Sequence, residues 1–140
     1  MPVINRYSIF SFFLILLDQL SKFLAIKYLT KYVVYNSVGA YSIGIGKLNF
    51  SYISVLALLL FVFFIPFIKK DYQKDIGYYL ILSGGISNIV DRFLVRGVVD
   101  FIPSKFFCSF NLADIFISIG AAIMILELLV GYIKEKSREN

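Results

Sequence analysis

Four apolar stretches, separated by shorter polar segments, set the pattern of this chain. They cover approximately residues 8–28, 51–68, 76–95 and 113–133. A helix needs about 20 predominantly apolar residues to cross the hydrocarbon core of a bilayer. The pattern therefore predicts an all-α membrane protein with four transmembrane helices.

The segment 30–50, between the first two predicted helices, has a different character. Val33, Val34 and Tyr35 favour a strand, and glycines such as Gly39 interrupt the apolar positions that follow. Tyrosine rings are favoured at the level of the lipid headgroups. We expect a small β-rich extracytoplasmic platform here.

Composition agrees with a membrane protein of one domain, residues 1–140. The chain is 59% hydrophobic and 16% charged, and its mean hydropathy is +0.82. Its net charge of +5 comes from basic residues that flank the apolar stretches, so contact with membrane lipids is expected and nucleic acid is not. Cys108 is the single cysteine, and the absence of histidine excludes His-based triads and common zinc sites.

The distribution of basic residues bears on the orientation of the chain. Four spans place both termini on one side of the membrane. Seven of the 14 basic residues would lie on that side, in segments that are much shorter than those opposite. Because short cytoplasmic segments are enriched in Lys and Arg, we expect both termini to be cytoplasmic. The motifs around Asp100 and Asp114 would then lie near the outer face.

Charged and polar residues recur within two of the predicted helices. Asp18 and Lys22 are four residues apart in the first helix, so they share one face. An internal ion pair is the simplest reading, and a role in orienting other site groups is the alternative. A direct catalytic role for Asp18 is less favoured.

The third helix carries a polar stripe of Gly84, Asn88, Asp91 and Arg92. Small residues permit close approach of membrane helices, and Asp91 beside Arg92 could neutralise locally. Polar contacts between helices would explain the stripe. Support of a nearby active site would explain it equally.

Two aspartates follow near the ends of apolar stretches. Asp100 lies just after the third helix on an extended or looped segment, and Asp114 begins the fourth helix, three residues after Asn111. Helix capping by Asn111 could account for Asp114, because an anion is favoured in a first turn. Capping leaves Asp100 unexplained.

Two carboxylates held close together cannot both ionise cheaply, so one of them keeps a proton. The ionised member can accept a proton from water while the protonated member donates a hydrogen bond to a carbonyl. This is the acid–base chemistry of aspartic proteases, and it needs no metal and no cofactor. Membrane proton relays also use acids, so the pair alone leaves both chemistries open.

At these residues the chain resembles lipoprotein signal peptidase, also called signal peptidase II. The similarity runs through five motifs in order and covers nearly the whole chain. The motifs are Asp18-Gln19-Leu20-Ser21-Lys22, Asn36 to Ser42, Gly84-Gly85 with Asn88, Asp91 and Arg92, Val98-Val99-Asp100-Phe101, and Phe110-Asn111-Leu112-Ala113-Asp114.

The resemblance implies an aspartyl endopeptidase of the bacterial cytoplasmic membrane, and we expect the protein to be a monomer. It would cut signal peptides from diacylglyceryl prolipoproteins just before the lipidated cysteine. The resemblance implies that Asp100 and Asp114 form the catalytic dyad. The residues that it implies for binding substrate or supporting the site are Asn36, Asn88, Arg92, Asn111, Asp18, Lys22 and Asp91.

One departure from the family pattern and two rival functions accompany this reading. Val38 stands where the platform motif usually has glycine, so the turn after Asn36 is expected to differ. A small proton or ion carrier could use the acids as a relay. A membrane assembly factor could use them as polar contacts between helices.

Overall fold

The computed structural model describes residues 6–36, 50–68, 71–72, 75–105 and 108–139. Four helices and two short strands account for most of them. In chain order the elements are α1 Arg6–Tyr28, a 3₁₀ turn Thr30–Tyr32, β1 Val34–Asn36, α2 Phe50–Ile68, α3 Ile76–Val95, β2 Val98–Asp100 and α4 Leu112–Glu139. The chain is thus mostly helical, with one two-stranded sheet.

Two of the helices are long and apolar enough to cross a membrane, at Arg6–Tyr28 and Leu112–Arg138, and Tyr52–Ile68 is a shorter apolar helix. Large hydrophobic side chains on these helices point outward, as Phe12 and Phe63 show. A surface of this kind would drive association in water but suits contact with lipid.

Helix α3 is the centre of the bundle. It packs most extensively on α4, then on α1, and least on α2. Glycines make the α3–α4 contact close: a Cβ on Gly77 would lie 2.8 Å from the Gly120 carbonyl oxygen, and a Cβ on Gly84 would overlap the Ala113 carbonyl oxygen. The second contact fixes α3 against the first turn of α4, where Asp114 lies.

The buried interior is polar at one end of α3 and aromatic at the other. Near the N-terminus of α3, Tyr78 and Tyr79 pack with Ile65 of α2 and Met124 of α4. Asp75 caps this end, accepting a hydrogen bond from the Gly77 N–H at 2.7 Å. Toward the C-terminus of α3 the buried side chains become Ser83, Ser87, Asn88 and Asp91.

Strands β1 and β2 join the segments that follow α1 and α3. They are antiparallel, and Val34 is paired with Asp100 and Asn36 with Val98. Residues 37–49, most of the predicted platform and including Val38, lie outside the described residues. The described part of the platform is therefore the 3₁₀ turn and β1.

The connections around β2 determine where the two aspartates meet. Arg96 ends α3 in the left-handed conformation, with φ of 58°, which turns the chain into β2. Beyond β2, Ile102 and Phe110 form a bridge in which each N–H donates to the other carbonyl, at 2.9 and 3.1 Å. The bridge returns the chain to Asn111, so the start of α4 lies beside Asp100.

Candidate active site

Asp100 is buried at the end of β2, with 3% of its surface exposed. Its two carboxylate oxygens accept hydrogen bonds from two asparagine amides. Asn36 Nδ2 donates to Oδ2 at 3.2 Å, and Asn111 Nδ2 donates to Oδ1 at 2.7 Å. Asn36 reaches Asp100 diagonally across the sheet, as residues two positions from a directly opposed pair can.

Asp114 lies in the first turn of α4, in a reciprocal cap with Asn111. The Asn111 N–H donates to Asp114 Oδ2 at 3.2 Å, and the Asp114 N–H donates to Asn111 Oδ1 at 3.0 Å. Asn88 Nδ2 of α3 donates to the other oxygen, Oδ1, at 2.9 Å. The cap expected from the sequence is therefore present, and the carboxylate also has a partner on another helix.

Asn111 connects the two acids. Its fully buried side chain donates to Asp100, accepts from the Asp114 backbone, and donates to Asn88 Oδ1 at 3.3 Å. Each of the four carboxylate oxygens of Asp100 and Asp114 thus accepts an N–H hydrogen bond. Asn111 thus donates to both carboxylates, through its side chain to Asp100 and through its backbone N–H to Asp114.

The environment of Asp100 favours its protonated form. Burial is the main cause that raises the pKa of Asp100, from 3.8 to about 6, and the nearby negative charge of Asp114 acts in the same direction. The hydrogen bonds from Asn36 and Asn111 and the charge of Lys22 oppose these effects and lower the pKa. Asp100 is therefore suited to hold a proton below about pH 6.

A buried ion cluster lies behind the two acids, centred on Lys22 of α1. Lys22 Nζ lies 2.6 Å from Asp18 Oδ2 and 2.7 Å from Asp91 Oδ2, and it donates to Asn88 Oδ1 at 3.1 Å. The ion pair expected between Asp18 and Lys22 is present. The expected neutralisation of Asp91 by the adjacent Arg92 is replaced by pairing with Lys22, because neighbouring residues in a helix point in different directions.

Arg92 lies beside the acids, at the end of an apolar groove between α2 and α3. Its Nη1 donates to the Asn88 carbonyl oxygen at 3.1 Å, and the charges of Asp114, Asp100 and Asp91 act on its guanidinium. The groove has a volume of about 270 Å³. Its lining comprises Ser54, Ala57, Leu58, Phe61, Ile81, Gly85, Asn88 and Arg92.

All nine residues singled out from the sequence join one network of hydrogen bonds and ion pairs. Gln19 and Ser87 also join the network, although neither was named as a candidate site residue. Gln19 Nε2 donates to Asp91 Oδ1 at 2.8 Å and to Ser87 Oγ at 2.9 Å, and Ser87 Oγ donates to Asp18 Oδ2 at 2.7 Å. The four-residue spacing of Ser83, Ser87 and Asp91 marks a polar face of α3 and could have revealed Ser87. Gln19 lies inside the motif Asp18-Gln19-Leu20-Ser21-Lys22, but its spacing from Asp18 and Lys22 does not indicate its contact with α3.

Comparisons with known proteins agree with this geometry. The family model described as signal peptidase (SPase) II matches residues 10–130. The chain is 37% identical to the lipoprotein signal peptidase of Borrelia hermsii, with 94% of this chain and 92% of that protein covered. It is 32% identical to the lipoprotein signal peptidase of Thermodesulfovibrio yellowstonii, with coverage of 89% and 95%.

Solved structures give the same result at the level of the fold. A bacterial membrane enzyme determined at 2.3 Å has a TM-score of 0.72 and 28% identity, with 96% of this chain and 91% of that chain covered. A second, determined at 1.9 Å, has a TM-score of 0.68 and 27% identity, with coverage of 88% and 92%. The family model covers residues 10–130, and the fold is mostly helical with outward-facing apolar side chains. This chain therefore belongs to the signal peptidase II family.

Proposed function

We propose that this chain is an aspartyl endopeptidase that removes signal peptides from diacylglyceryl-modified prolipoproteins, cutting before the lipidated cysteine. Asp100 and Asp114 activate water for this reaction. The observation that carries the proposal is that Asn111 contacts both carboxylates: its side-chain amide donates to Asp100 and its backbone N–H donates to Asp114. Membership of the family and the names of the curated relatives support the substrate class.

The reaction needs one proton on the acid pair. Asp114, ionised, accepts a proton from water as the water oxygen attacks the scissile carbonyl carbon. Asp100, protonated, gives its proton to the carbonyl oxygen, which produces a neutral tetrahedral diol. As the C–N bond breaks, Asp114 gives its proton to the leaving nitrogen. Asp100 recovers its proton from one diol hydroxyl, whose oxygen becomes the carbonyl oxygen of the carboxylic acid product.

The surrounding donors and the groove would position the substrate. Asn36, Asn88 and Arg92 are close enough to the acids to bind the substrate backbone. The groove between α2 and α3 would accept apolar parts of the substrate, and a lipid anchor would keep the scissile bond at the depth of the acids. In the corresponding topology, four helices span the membrane, both termini are cytoplasmic and the site lies near the outer face. The enzyme acts as a monomer.

A gel-shift cleavage assay tests the proposal. Purified protein in detergent is mixed with a diacylglyceryl prolipoprotein and, separately, with its unlipidated precursor. Cleavage of the lipidated form alone is the expected result. Absence of cleavage by well-folded protein would overturn the proposal, and measurement of proton flux in liposomes would then test the carrier.

Arg92→Lys is expected to lower kcat/KM by about 10- to 100-fold, because a planar bidentate donor becomes a point donor. The cleavage assay measures this directly. Arg138→Lys, at the exposed end of α4, makes the same chemical change far from the acids and should leave kcat/KM unchanged. Equal rates for Arg92→Lys and wild type would remove Arg92 from the working site.

Cleavage is expected to fall as pH rises above about 6. Below the raised pKa of Asp100 the pair holds one proton, and above it both acids become ionised and the general acid is lost. The charges that act on Asp100 are those of Asp114 and Lys22, and Asp100 in turn acts on Arg92. The chain has no histidine that could contribute to this limb. A profile of kcat/KM against pH, which reports the free enzyme, should decline about tenfold per pH unit there. A flat profile from pH 5 to 9 would contradict the assignment of the proton to Asp100.

Chelators are expected to have no effect on cleavage. Every carboxylate oxygen of the pair already accepts an N–H hydrogen bond, so a cation placed between the acids would face donor groups. Assays with and without EDTA, on enzyme dialysed against it, measure the effect. Strong inhibition that added divalent metal reverses would refute a mechanism based on the two acids alone.

A further inference from the structure

Each of the two catalytic aspartates follows a residue whose backbone N–H is held by a buried carboxylate. Before Asp100, the Val99 N–H donates to Asp91 Oδ2 at 3.1 Å. Before Asp114, the Ala113 N–H donates to Asp18 Oδ1 at 2.8 Å. The same two carboxylates are the partners of the Lys22 ammonium.

We propose that Lys22 is a positioning residue for both catalytic aspartates, acting through Asp91 on Asp100 and through Asp18 on Asp114, with Gln19 as a second anchor for Asp91. The inference rests on the proposed function. According to this inference, Lys22 of α1 fixes the position of Asp100 in β2 relative to Asp114 in α4.

The cluster is rigid because it is buried and its donors are used. Lys22 is 2% exposed, Asp18 is fully buried, and Val99 and Ala113 are 2% and 0% exposed. An ammonium has three donors, and Lys22 directs them to Asp18, Asp91 and Asn88. Removing the cation would leave two carboxylates buried without their counter-ion, so both would move or take up protons.

A third path leads from Lys22 through Asn88. Because an ammonium only donates hydrogen bonds, it selects the amide orientation in which Asn88 Oδ1 faces Lys22. The Asn88 NH₂ group must then face Asp114, to which it donates at 2.9 Å. Lys22 thus also determines that the Asp114 carboxylate accepts a hydrogen bond from α3.

Gln19 holds Asp91 from the opposite oxygen. It donates to Asp91 Oδ1 while Lys22 and the Val99 N–H lie at Oδ2, so the carboxylate is fixed at both ends. Gln19 also contacts the Ser87 carbonyl and hydroxyl oxygens on the same face of α3. An uncharged residue with this placement can be removed without creating a buried unpaired charge.

The test compares Lys22→Met, Lys22→Arg and Gln19→Leu with wild type, measuring kcat, KM and the pH profile of cleavage of a synthetic diacylglyceryl prolipopeptide. Ser11→Ala is the matched control. Ser11 Oγ bonds Ser83 Oγ at 2.7 Å, a buried α1–α3 contact outside the cluster, and Ser83 retains its bond to the Tyr79 carbonyl. Thermal unfolding of each variant reports loss of fold separately from loss of rate.

Gln19→Leu should lower kcat about tenfold with little change in KM, since displaced catalytic groups reduce the rate more than binding. Lys22→Met should lower kcat further and move the descending limb to higher pH, because the Lys22 charge lowers the pKa of Asp100. Lys22→Arg keeps that charge and should keep the limb in place. Ser11→Ala should keep wild-type kcat.

Wild-type kcat in Gln19→Leu would overturn the inference, even if Lys22→Met failed to fold. An equal loss of kcat in Ser11→Ala would also overturn it, because general α1–α3 packing would then be the cause. A Lys22→Met variant that folds and keeps the descending limb of its pH profile at the wild-type pH would also overturn the inference. Failure of the wild-type enzyme to cleave would instead refute the proposed function.

Discussion

Asp100→Asn and Asp114→Asn are each expected to abolish cleavage, with kcat/KM reduced by about 10³-fold or more. Asparagine at position 114 cannot accept a proton from water, and asparagine at position 100 cannot give one to the scissile carbonyl. In the proposed mechanism the two acids act as a unit, so the double variant should be no slower than either single variant. The gel-shift assay with the lipidated substrate measures all three.

Measurements of thermal stability distinguish a loss of catalysis in Asp100→Asn from a loss of folded protein. The fold raises the pKa of Asp100, so the stability it contributes is present below about pH 4 and is lost as pH rises to about 6. At pH 8 the wild type carries the full cost of a buried ionised carboxylate, and Asp100→Asn does not. Asp100→Asn should therefore unfold at an equal or higher temperature than wild type at pH 8.

Glu135→Gln provides the matched control, since it neutralises an exposed carboxylate in the last part of α4. It should cleave at the wild-type rate. Substantial activity in either dyad variant would refute the catalytic pair. Complete unfolding of both would instead favour the reading in which these acids serve as contacts between helices.

Gly84→Ala is expected to destabilise the protein by about 1–3 kcal/mol and to reduce kcat about 100-fold. The added Cβ would overlap the Ala113 carbonyl oxygen and lie 2.7 Å from Ile117 Cγ1. Backbone cannot yield as a flexible side chain does, so α3 and the first turn of α4 must separate. That turn carries Asp114, and its displacement separates the two acids.

Gly131→Ala makes the same substitution where nothing lies within 4 Å of the new Cβ. Alanine favours a helix over glycine by about 1 kcal/mol, so this variant should be as stable as wild type or more stable. Thermal unfolding in detergent and the cleavage assay compare the two. Wild-type stability and rate in Gly84→Ala would show that the α3–α4 contact has room that the structure does not show.

Local patterns predicted much of the architecture and most of the candidate site. Apolar runs indicated helices where α1 to α4 lie, and the spacing of Asn111 and Asp114 indicated a cap because both partners lie within one helical turn. The extended segment at Asp100 followed from the turn after α3. Each of these features depends on residues that are close in the sequence.

Features that depend on distant residues escaped prediction. The pairing of β1 with β2 joins Val34 to Asp100, and no motif specifies that register. The pairing of Asp91 with Lys22 rather than Arg92 depends on how α1 lies against α3. The contacts of Gln19 with Ser87 and Asp91 form only when α3 packs against α1, so the sequence around Gln19 does not indicate them.

The four-residue spacing of Asp18 and Lys22 has a consequence for biogenesis. Helix α1 is synthesised before the segment that contains Asp91, and at that stage Asp18 and Lys22 place two charges in the middle of an apolar helix. Insertion assays assign each such charge at a helix centre a cost of about 2.5–3.5 kcal/mol. Because the two side chains already lie 2.6 Å apart along one face, the nascent helix brings its own counter-ion. When α3 later packs against α1, Asp91 becomes the second carboxylate paired with Lys22.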